Sequence, residues 1–324
     1  MQGTQLHEPE SRDRTAPATG RIAILGTGKM GSAIAARLTA AGFDVALWNR
    51  TRSRAEALGI GTVADTPAAA VRDAEIVVSS LTGPEAVRAA YLGREGALTA
   101  GHGKRFIEMS TAGPDLVAEL AGHVTAAGGT LVDAPILGAP PFVRAGEAAI
   151  LVGGADADAA VVSPVLSVLG TVRHVGPLGS AARLKLVANS MLADVTLAAA
   201  ELQVAGEDAG LDPEDVFWVL KRIVPALEAR RAGYIEDRHT PAMFALRDLR
   251  KDLDLALALF GSSPAPKPLT RLSSDLIGVA AAATPDLDIS AVVRPYREAG
   301  RSPASQTGTT TPLTPTPAMA RIDR

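Results

Sequence analysis

The chain has 324 residues, of which 47% are hydrophobic, and a formal net charge of −3 without any cysteine. This length and hydrophobic content suffice for two ordinary domains and exclude a globally disordered protein. The small net charge argues against nucleic acid as a partner, and the lack of cysteine excludes disulfides, thiolate metal sites and a cysteine nucleophile.

The first 20 residues are polar and aperiodic, which predicts a disordered arm. Residues 21–25 form a short apolar run that predicts a buried parallel strand. Residues 32–41 carry apolar side chains at helical spacing, and residues 43–48 predict a second strand. The order strand, helix, strand is one βαβ unit.

Three glycines with the spacing G-x-G-x-x-G lie between that first strand and the helix. Within a βαβ unit this spacing predicts dinucleotide binding. We expect Gly26 to allow the tight turn, Gly28 to let a pyrophosphate approach the backbone, and Gly31 to let the helix pack closely on the strand. The predicted cofactor loop comprises Gly26, Thr27, Gly28, Lys29, Met30 and Gly31.

The end of the second strand predicts which cofactor binds. NAD-binding units usually have an acidic residue here for the ribose hydroxyls, whereas this chain has Asn49, Arg50 and Thr51. A carboxylate would repel a 2′-phosphate, and a guanidinium can bind it by charge-assisted hydrogen bonds. We therefore predict NADPH rather than NADH, the alternative being that Arg50 is an ordinary solvated side chain.

The alternation of helices and strands continues to about residue 179 and predicts a doubly wound, parallel α/β domain of the Rossmann type. Ligands of such sheets bind beyond the carboxyl ends of the strands. Leu81 and Thr82 are predicted there to contact the cofactor, and Ser110 and Thr111 to contact the substrate. For Ser110 and Thr111, capping of the following helix is an equally good interpretation. The predicted strands cover residues 75–80, 106–109, 130–133, 148–153 and 171–175, and the predicted helices 67–73, 84–91, 114–127 and 156–169.

After residue 179 the strand signals end. Long apolar-periodic segments predict an all-α domain at 180–298, entered by a long helix over 181–210. Residues 299–324 are rich in Ser, Thr and Pro and predict a disordered tail. The domains expected from the sequence are therefore 21–179 and 180–298, between an arm and a tail. The further predicted helices cover residues 213–222, 225–231, 246–260, 269–283 and 289–297.

Two polar residues on the long helix are candidates for chemistry. Lys185 and Asn189 are four residues apart and so lie on one face, among apolar neighbours. Burial lowers the pKa of a lysine, which suits an acid/base at a domain junction. From spacing alone, a lysine that extends to solvent is the commoner interpretation.

Four segments, in order, resemble the β-hydroxyacid dehydrogenase family, which includes 3-hydroxyisobutyrate dehydrogenases and glyoxylate/succinic semialdehyde reductases and has a C-terminal domain like that of 6-phosphogluconate dehydrogenase. The first is I-L-G-T-G-K-M-G at 24–31, where Thr27 replaces the usual Leu. The second, D-A-P-I-L-G-A at 133–139, matches the substrate loop D-A-P-V-S-G-G. The third, at 176–189, matches G-x-x-G-x-x-x-x-x-K-x-x-x-N. The fourth, K-D-L-D-L-A-L at 251–257, matches K-D-L-x-L-A.

This resemblance implies roles for individual residues. Lys185 matches the catalytic lysine, which protonates the carbonyl oxygen in reduction or takes the proton in oxidation. Asn189 matches the residue that positions the substrate, and Lys251 a lysine near the cofactor. The resemblance further implies an NADP-dependent oxidoreductase that acts on a small molecule, as a homodimer or homotetramer assembled through the long helix.

The substrate loop departs from the family pattern. Leu137 and Ala139 replace the family's Ser and second Gly around Gly138, and Pro140 and Pro141 lack N–H donors. These changes predict a more apolar pocket that binds a carboxylate less well. Two alternatives stay open: an imine reductase, whose relatives usually lack the lysine at position 185, and a non-catalytic NADPH-binding oligomer.

The remaining features favour an ordinary cytoplasmic protein. The five histidines are scattered without ligand spacing, so no metal is expected. We find no apolar run long enough to span a membrane and no apolar segment typical of a signal peptide. A membrane partner is therefore not expected either.

Overall fold

The computed structural model describes residues 20–261 and 266–301. These residues form two compact units, the first comprising 20–110 and 114–181 and the second 111–113 and 182–301. The predicted arm, apart from Gly20, and the predicted tail beyond residue 301 lie outside the described residues.

The first unit is built on a six-stranded parallel sheet with the order β3-β2-β1-β4-β5-β6. Its strands are β1 (Arg21–Leu25), β2 (Asp44–Trp48), β3 (Thr62–Val63), β4 (Ile76–Ser79), β5 (Arg105–Glu108) and β6 (Thr130–Asp133). The strand order reverses between β1 and β4, which is where sheets of this order bind dinucleotides. The predicted Rossmann-type domain is confirmed.

The helices of this unit follow the strands in alternation. They are α1 (Lys29–Ala40), α2 (Arg52–Glu56), α3 (Pro67–Val71), α4 (Gly83–Leu92), α5 (Pro114–Ala126), α6 (Pro140–Ala145) and α7 (Asp156–Leu169). Ile22, Ile24 and Leu25 of β1 are at most 1% exposed, because the central strand is covered on both faces. Helix α1 begins at Lys29, three residues before the predicted start, so the second half of the glycine motif belongs to its first turn.

The later strands of this unit do not extend the main sheet. Strands β8 (Ala148–Val152) and β9 (Gly170–His174) form a separate three-stranded sheet with β7 (Ile136–Leu137), which pattern analysis assigned to a loop. Pro135 has no N–H to continue the ladder after β6, and β7 turns to pair antiparallel with β8. Pro140 and Pro141 open α6, where a missing N–H costs nothing.

The second unit is helical, as predicted. Its helices are α8 (Ser180–Asp208), α9 (Pro213–Ile223), α10 (Arg231–Glu236), α11 (Leu246–Phe260), α12 (Pro268–Ala283) and α13 (Val293–Arg301). Pro225–Arg230 is a 3-10 turn rather than the predicted α-helix, and the predicted helix at 289–297 is a 3-10 turn, Ile289–Val292, leading into α13. Because α13 runs to Arg301, it includes the first three residues of the predicted tail.

A buried carboxylate fixes the segment that leads into the start of α11. Asp288 accepts hydrogen bonds from the backbone N–H groups of Met243, Phe244 and Ser290, and pairs with Arg230 at 3.1 Å. A buried charge is tolerable when it is paired and fully hydrogen-bonded. This arrangement sets the start of α11, the helix that carries Lys251.

Candidate active site

The glycine loop is shaped by close backbone contacts. Gly26 has φ +98°, and a Cβ there would lie 2.3 Å from the Ser80 carbonyl oxygen. A Cβ on Gly31 would lie 2.0 Å from the Gly26 carbonyl oxygen, so α1 approaches the turn to a distance that only glycine allows. In front of Gly28, by contrast, a Cβ would meet nothing within 4 Å.

This loop fits the diphosphate of a nicotinamide dinucleotide. The N-cap of α1 is Gly28, no side chain caps its first N–H groups, and its first turn contains no acidic residue. The helix therefore presents uncapped N–H groups and the positive end of its dipole beside the open space at Gly28.

Asn49 links the end of β2 to the glycine loop. Its side-chain oxygen accepts the Thr27 N–H at 3.1 Å, and its amide nitrogen donates to the Thr51 carbonyl at 2.9 Å. Arg50 is exposed, whereas the neighbouring Arg52 pairs with Glu56 at 2.7 Å and with Asp65. Asn49 thus shapes the loop. Among the described residues, no carboxylate forms an ion pair with the guanidinium of Arg50.

The loops after β4 and β5 are joined by a side chain. Ser110 accepts the Leu81 N–H at 2.8 Å through its hydroxyl oxygen, and its own N–H donates to Glu108 at 2.7 Å. Thr82 is exposed and occupies the N-cap position of α4 without a side-chain capping bond. Of the residues predicted here, Leu81 and Ser110 are in direct contact, whereas Thr111 belongs to the second unit.

The predicted substrate loop lies between β7 and α6. Leu137 is half-buried and pairs with Ala149 of β8, Gly138 is exposed, and Ala139 occupies the N-cap position of α6. Asp133, at the start of this motif, accepts the Gly179 N–H at 2.7 Å. The loop is therefore tied to the turn that precedes α8.

In the second unit, three helical residues predicted from sequence meet around a carboxylate. Asn189 of α8 donates to Asp252 of α11 at 2.5 Å, and Lys251 pairs with Asp252 at 2.8 Å. Lys251 also donates to the Thr111 carbonyl at 2.6 Å. Lys185 lies one turn before Asn189 and interacts electrostatically with Asp252 and Lys251. We call Lys185, Asn189, Lys251 and Asp252 the lysine cluster.

Burial and neighbouring charges shift the pKa values in the lysine cluster. Burial lowers the pKa of Lys185 to about 8, with Asp252 raising it and Lys251 lowering it further. The Lys185 residue keeps intermediate exposure, but its amine is surrounded by protein atoms. Burial also raises the pKa of Asp252, against the opposing effects of Lys251, Lys185 and the Asn189 hydrogen bond. An amine with a pKa near neutrality can donate and accept a proton under physiological conditions.

Sequence reasoning missed Asp252 as a site residue. It is 2% exposed and contacts two of the residues that were predicted. The signal was a carboxylate next to Lys251 on the buried side of a helix, because a buried acid requires partners. Within the described ranges, no group of three or more His, Asp or Glu side chains is arranged to bind a metal ion, and no helix has the length and apolarity to cross a membrane.

Comparison with known proteins connects these two units to one family. Residues 21–176 match the family model of the NAD binding domain of 6-phosphogluconate dehydrogenase, and residues 179–296 match that of NADP-dependent 3-hydroxyisobutyrate dehydrogenase. A 3-hydroxyisobutyrate dehydrogenase of Pseudomonas aeruginosa is 31% identical over 301 residues, which cover 85% of this chain and 98% of that protein. The chain belongs to the 3-hydroxyisobutyrate dehydrogenase family.

Other members show the same correspondence. Glyoxylate/succinic semialdehyde reductase 2 of Arabidopsis thaliana is 27% identical, with 91% of this chain and 84% of that protein covered. A solved structure of 3-hydroxyisobutyrate dehydrogenase from Mycobacterium tuberculosis with L-serine is 27% identical, covers 86% of this chain and 99% of that one, and superposes with a TM-score of 0.75. The resemblance found in the four motifs is confirmed. This family member is an NAD(P)-dependent oxidoreductase that acts on a small molecule.

Proposed function

We propose that the protein is an NADPH-dependent reductase or dehydrogenase that interconverts a carbonyl and a hydroxyl on a small substrate of the 3-hydroxyacid or semialdehyde class. The lysine cluster carries this proposal, because it places a buried amine with a pKa of about 8 beside a hydrogen-bonded amide and a carboxylate. Family membership supports the oxidoreductase chemistry.

Lys185 acts as the general acid/base. The bound nicotinamide supplies the hydride that reaches the carbonyl carbon. Lys185, protonated below about pH 8, gives its proton to the carbonyl oxygen, so that no full negative charge develops there. The neutral amine then regains a proton from solvent. In oxidation the neutral Lys185 takes the hydroxyl proton instead.

The other members of the cluster position Lys185 and the substrate. Asp252 accepts from Asn189 and thereby holds the amide in one orientation, which suits its proposed role of orienting the substrate. Asp252 also stabilises the protonated form of Lys185. Lys251 is held by Asp252 and the Thr111 carbonyl, so its position in the cluster is fixed by two partners.

Turnover measured across a panel of substrates tests the proposal. With NADPH we expect reduction of small semialdehydes and 2-oxo acids. We also expect neutral aldehydes to react faster than they would in an enzyme whose substrate loop binds a carboxylate, because Leu137 and Ala139 provide no hydroxyl to a carboxylate. Reduction of cyclic imines without reduction of aldehydes would contradict a carbonyl reductase. Binding of NADPH without any turnover would contradict an enzyme and support a binding protein.

Preference for NADPH depends on Arg50. Replacing Arg50 with alanine removes a charge-assisted hydrogen bond to the 2′-phosphate, and we expect the Kd of NADPH to rise about tenfold or more while that of NADH changes by less than about twofold. Arg52→Ala is the matched control, because Glu56 and Asp65 already engage that guanidinium. Equal losses for both cofactors in Arg50→Ala would refute the proposed selection.

The long helix α8 carries an apolar stripe whose side chains are exposed or half-exposed in the described part of the chain. Its members are three or four residues apart along the helix, and several are strongly exposed, Met191 reaching 61%. The other side of α8 already packs in the core of the second unit. We assign the stripe to a second copy of this chain, because an apolar, uncharged helix face can pack against the same face of an identical helix. The stripe comprises Leu184, Val187, Met191, Val195, Ala198, Leu202 and Ala205.

A charge in the middle of this stripe is expected to disrupt the dimer. Met191→Glu buries an unpaired carboxylate at the contact, so analytical ultracentrifugation should show a shift to monomer at micromolar concentration. Val161→Glu is the control, because Val161 is an exposed valine (47%) on α7 of the other unit. A wild-type protein that is monomeric at every concentration would exclude this assignment.

A further inference from the structure

A buried carboxyl outside the lysine cluster ends a chain of hydrogen bonds in the first unit. Glu108, the last residue of β5, is 1% exposed. One of its oxygens lies 2.5 Å from the Ser79 hydroxyl, and the other accepts the Ser110 N–H at 2.7 Å. The Ser79 hydroxyl also lies 2.7 Å from the hydroxyl of Tyr91, which is fully buried.

The chemistry of these groups sets the direction of the chain. Burial raises the pKa of Glu108, and in its ionised form Glu108 only accepts, so that Ser79 then donates its proton to Glu108 and its oxygen accepts from Tyr91. Such networks are stable when every buried member has its partners. Two adjacent strand ends, those of β4 and β5, are therefore connected through side chains as well as through the sheet.

The same network reaches the surface at Ser110. Its N–H is fixed by Glu108 and its hydroxyl oxygen accepts the Leu81 N–H, so neither the backbone nor the side chain can turn without breaking a bond. The Ser110 hydroxyl also hydrogen-bonds the Glu108 carboxylate, so Glu108 holds both the backbone and the side chain of Ser110. Ser110 is half-buried, so this fixed side chain lies where a bound ligand can contact it.

The position of Ser110 indicates which ligand it meets. Leu81 and Ser110 follow β4 and β5, on the side of the switch point opposite to the glycine loop and Arg50. In sheets of this order each half binds one mononucleotide, and the adenine half lies over the glycine-loop side. The half over β4 and β5 is therefore the nicotinamide half.

We propose that Glu108 is a positioning residue for the nicotinamide half of the cofactor, acting through the Ser110 N–H to hold the Ser110 hydroxyl and the Leu81 loop in their binding geometry. This role rests on the proposed function, since it requires a bound nicotinamide dinucleotide. Packing alone does not require an acid here, because a buried carboxylate is costly unless it is paired or hydrogen-bonded.

Two variants of equal size separate hydrogen bonding from packing and charge. In Glu108→Gln the amide oxygen still accepts the Ser110 N–H and the amide nitrogen can donate to Ser79, whereas Glu108→Met fills the same space without an acceptor. We expect the Kd of NADPH, measured by its fluorescence, to rise about tenfold in Glu108→Met and less than about threefold in Glu108→Gln. Binding of 2′,5′-ADP, a probe of the adenine half alone, should change in neither.

Combination with Ser110→Ala shows whether Glu108 acts through Ser110. If it does, adding Glu108→Met to Ser110→Ala weakens NADPH binding by less than about twofold more. Three results would each overturn the role. They are losses of NADPH affinity that multiply in the double variant, equal losses of NADPH affinity in Glu108→Gln and Glu108→Met, and a parallel loss of affinity for 2′,5′-ADP. Wild-type protein that binds no NADPH would instead refute the proposed function, whereas wild-type binding that both Glu108 variants retain would refute only this inference.

Discussion

Replacing Lys185 with methionine is expected to lower the rate of carbonyl reduction by a factor of about 100 to 10,000, the usual contribution of a positioned general acid. Methionine has a similar length and an apolar body, so it fills the same place without a proton to donate. Steady-state turnover of the best substrate from the panel measures the effect. The Kd of NADPH should stay within about twofold, because the change removes chemistry rather than cofactor contacts.

The wild-type pH profile provides an independent check on Lys185. With a pKa of about 8, the amine is protonated below that pH, so kcat/KM for reduction should be level there and fall above it. Oxidation requires the neutral amine and should rise over the same interval. Lys221→Met is the control, because Lys221 on α9 pairs with Glu228 at 2.7 Å outside the cluster. A Lys185→Met enzyme with wild-type turnover, or a level profile in both directions between about pH 7 and pH 9, would contradict the assignment.

Changing Asp252 to asparagine is expected to affect both pH dependence and stability. The carboxylate stabilises the protonated form of Lys185, so without it the pKa of Lys185 falls below about 8 and reduction begins to decline at a lower pH. The change also leaves Lys251 without its ionic partner. Breaking a buried pair costs about 3–5 kcal/mol, and we expect the lower end, because the Lys251 side chain keeps 27% exposure.

Asp254→Asn provides the matched comparison for Asp252. Asp254 lies two residues further along α11 and pairs with Arg250 at 3.1 Å on the exposed side of the helix. Exposed pairs contribute little, so this variant should keep both the pH profile and the free energy of unfolding measured by urea titration. If Asp252→Asn and Asp254→Asn behave alike, Asp252 does not influence the titration of Lys185.

The larger elements could be predicted because their signals are local. The strand at β1, the glycine spacing and the long helix α8 have a period or a composition that a short window contains. The missed elements, α2, β3, β7, α6 and α10, have two to six residues, too few to show a period. The assignment of β8 and β9 to a second sheet depended on the partner of each strand, which periodicity does not specify.

For the site, the motif residues were predictable and their partners were not. The spacing of Lys185 and Asn189 follows from the helical repeat, which applies to any helix. The contact of Asn189 with Asp252 joins residues 63 positions apart on two helices, and the contact of Ser79 with Glu108 joins two strands. No local pattern specifies which buried acid faces which lysine or serine.

By itself, the sequence determined the two-part architecture, the glycine loop and the family, since these depend on periodicity, glycine sterics and motif order along the chain. Only the tertiary structure decided that Asp252 completes the lysine cluster, that Asn49 shapes the glycine loop, and that Glu108 links the loops after β4 and β5. Burial and long-range pairing set the energies of these polar groups, and both arise when distant segments pack together.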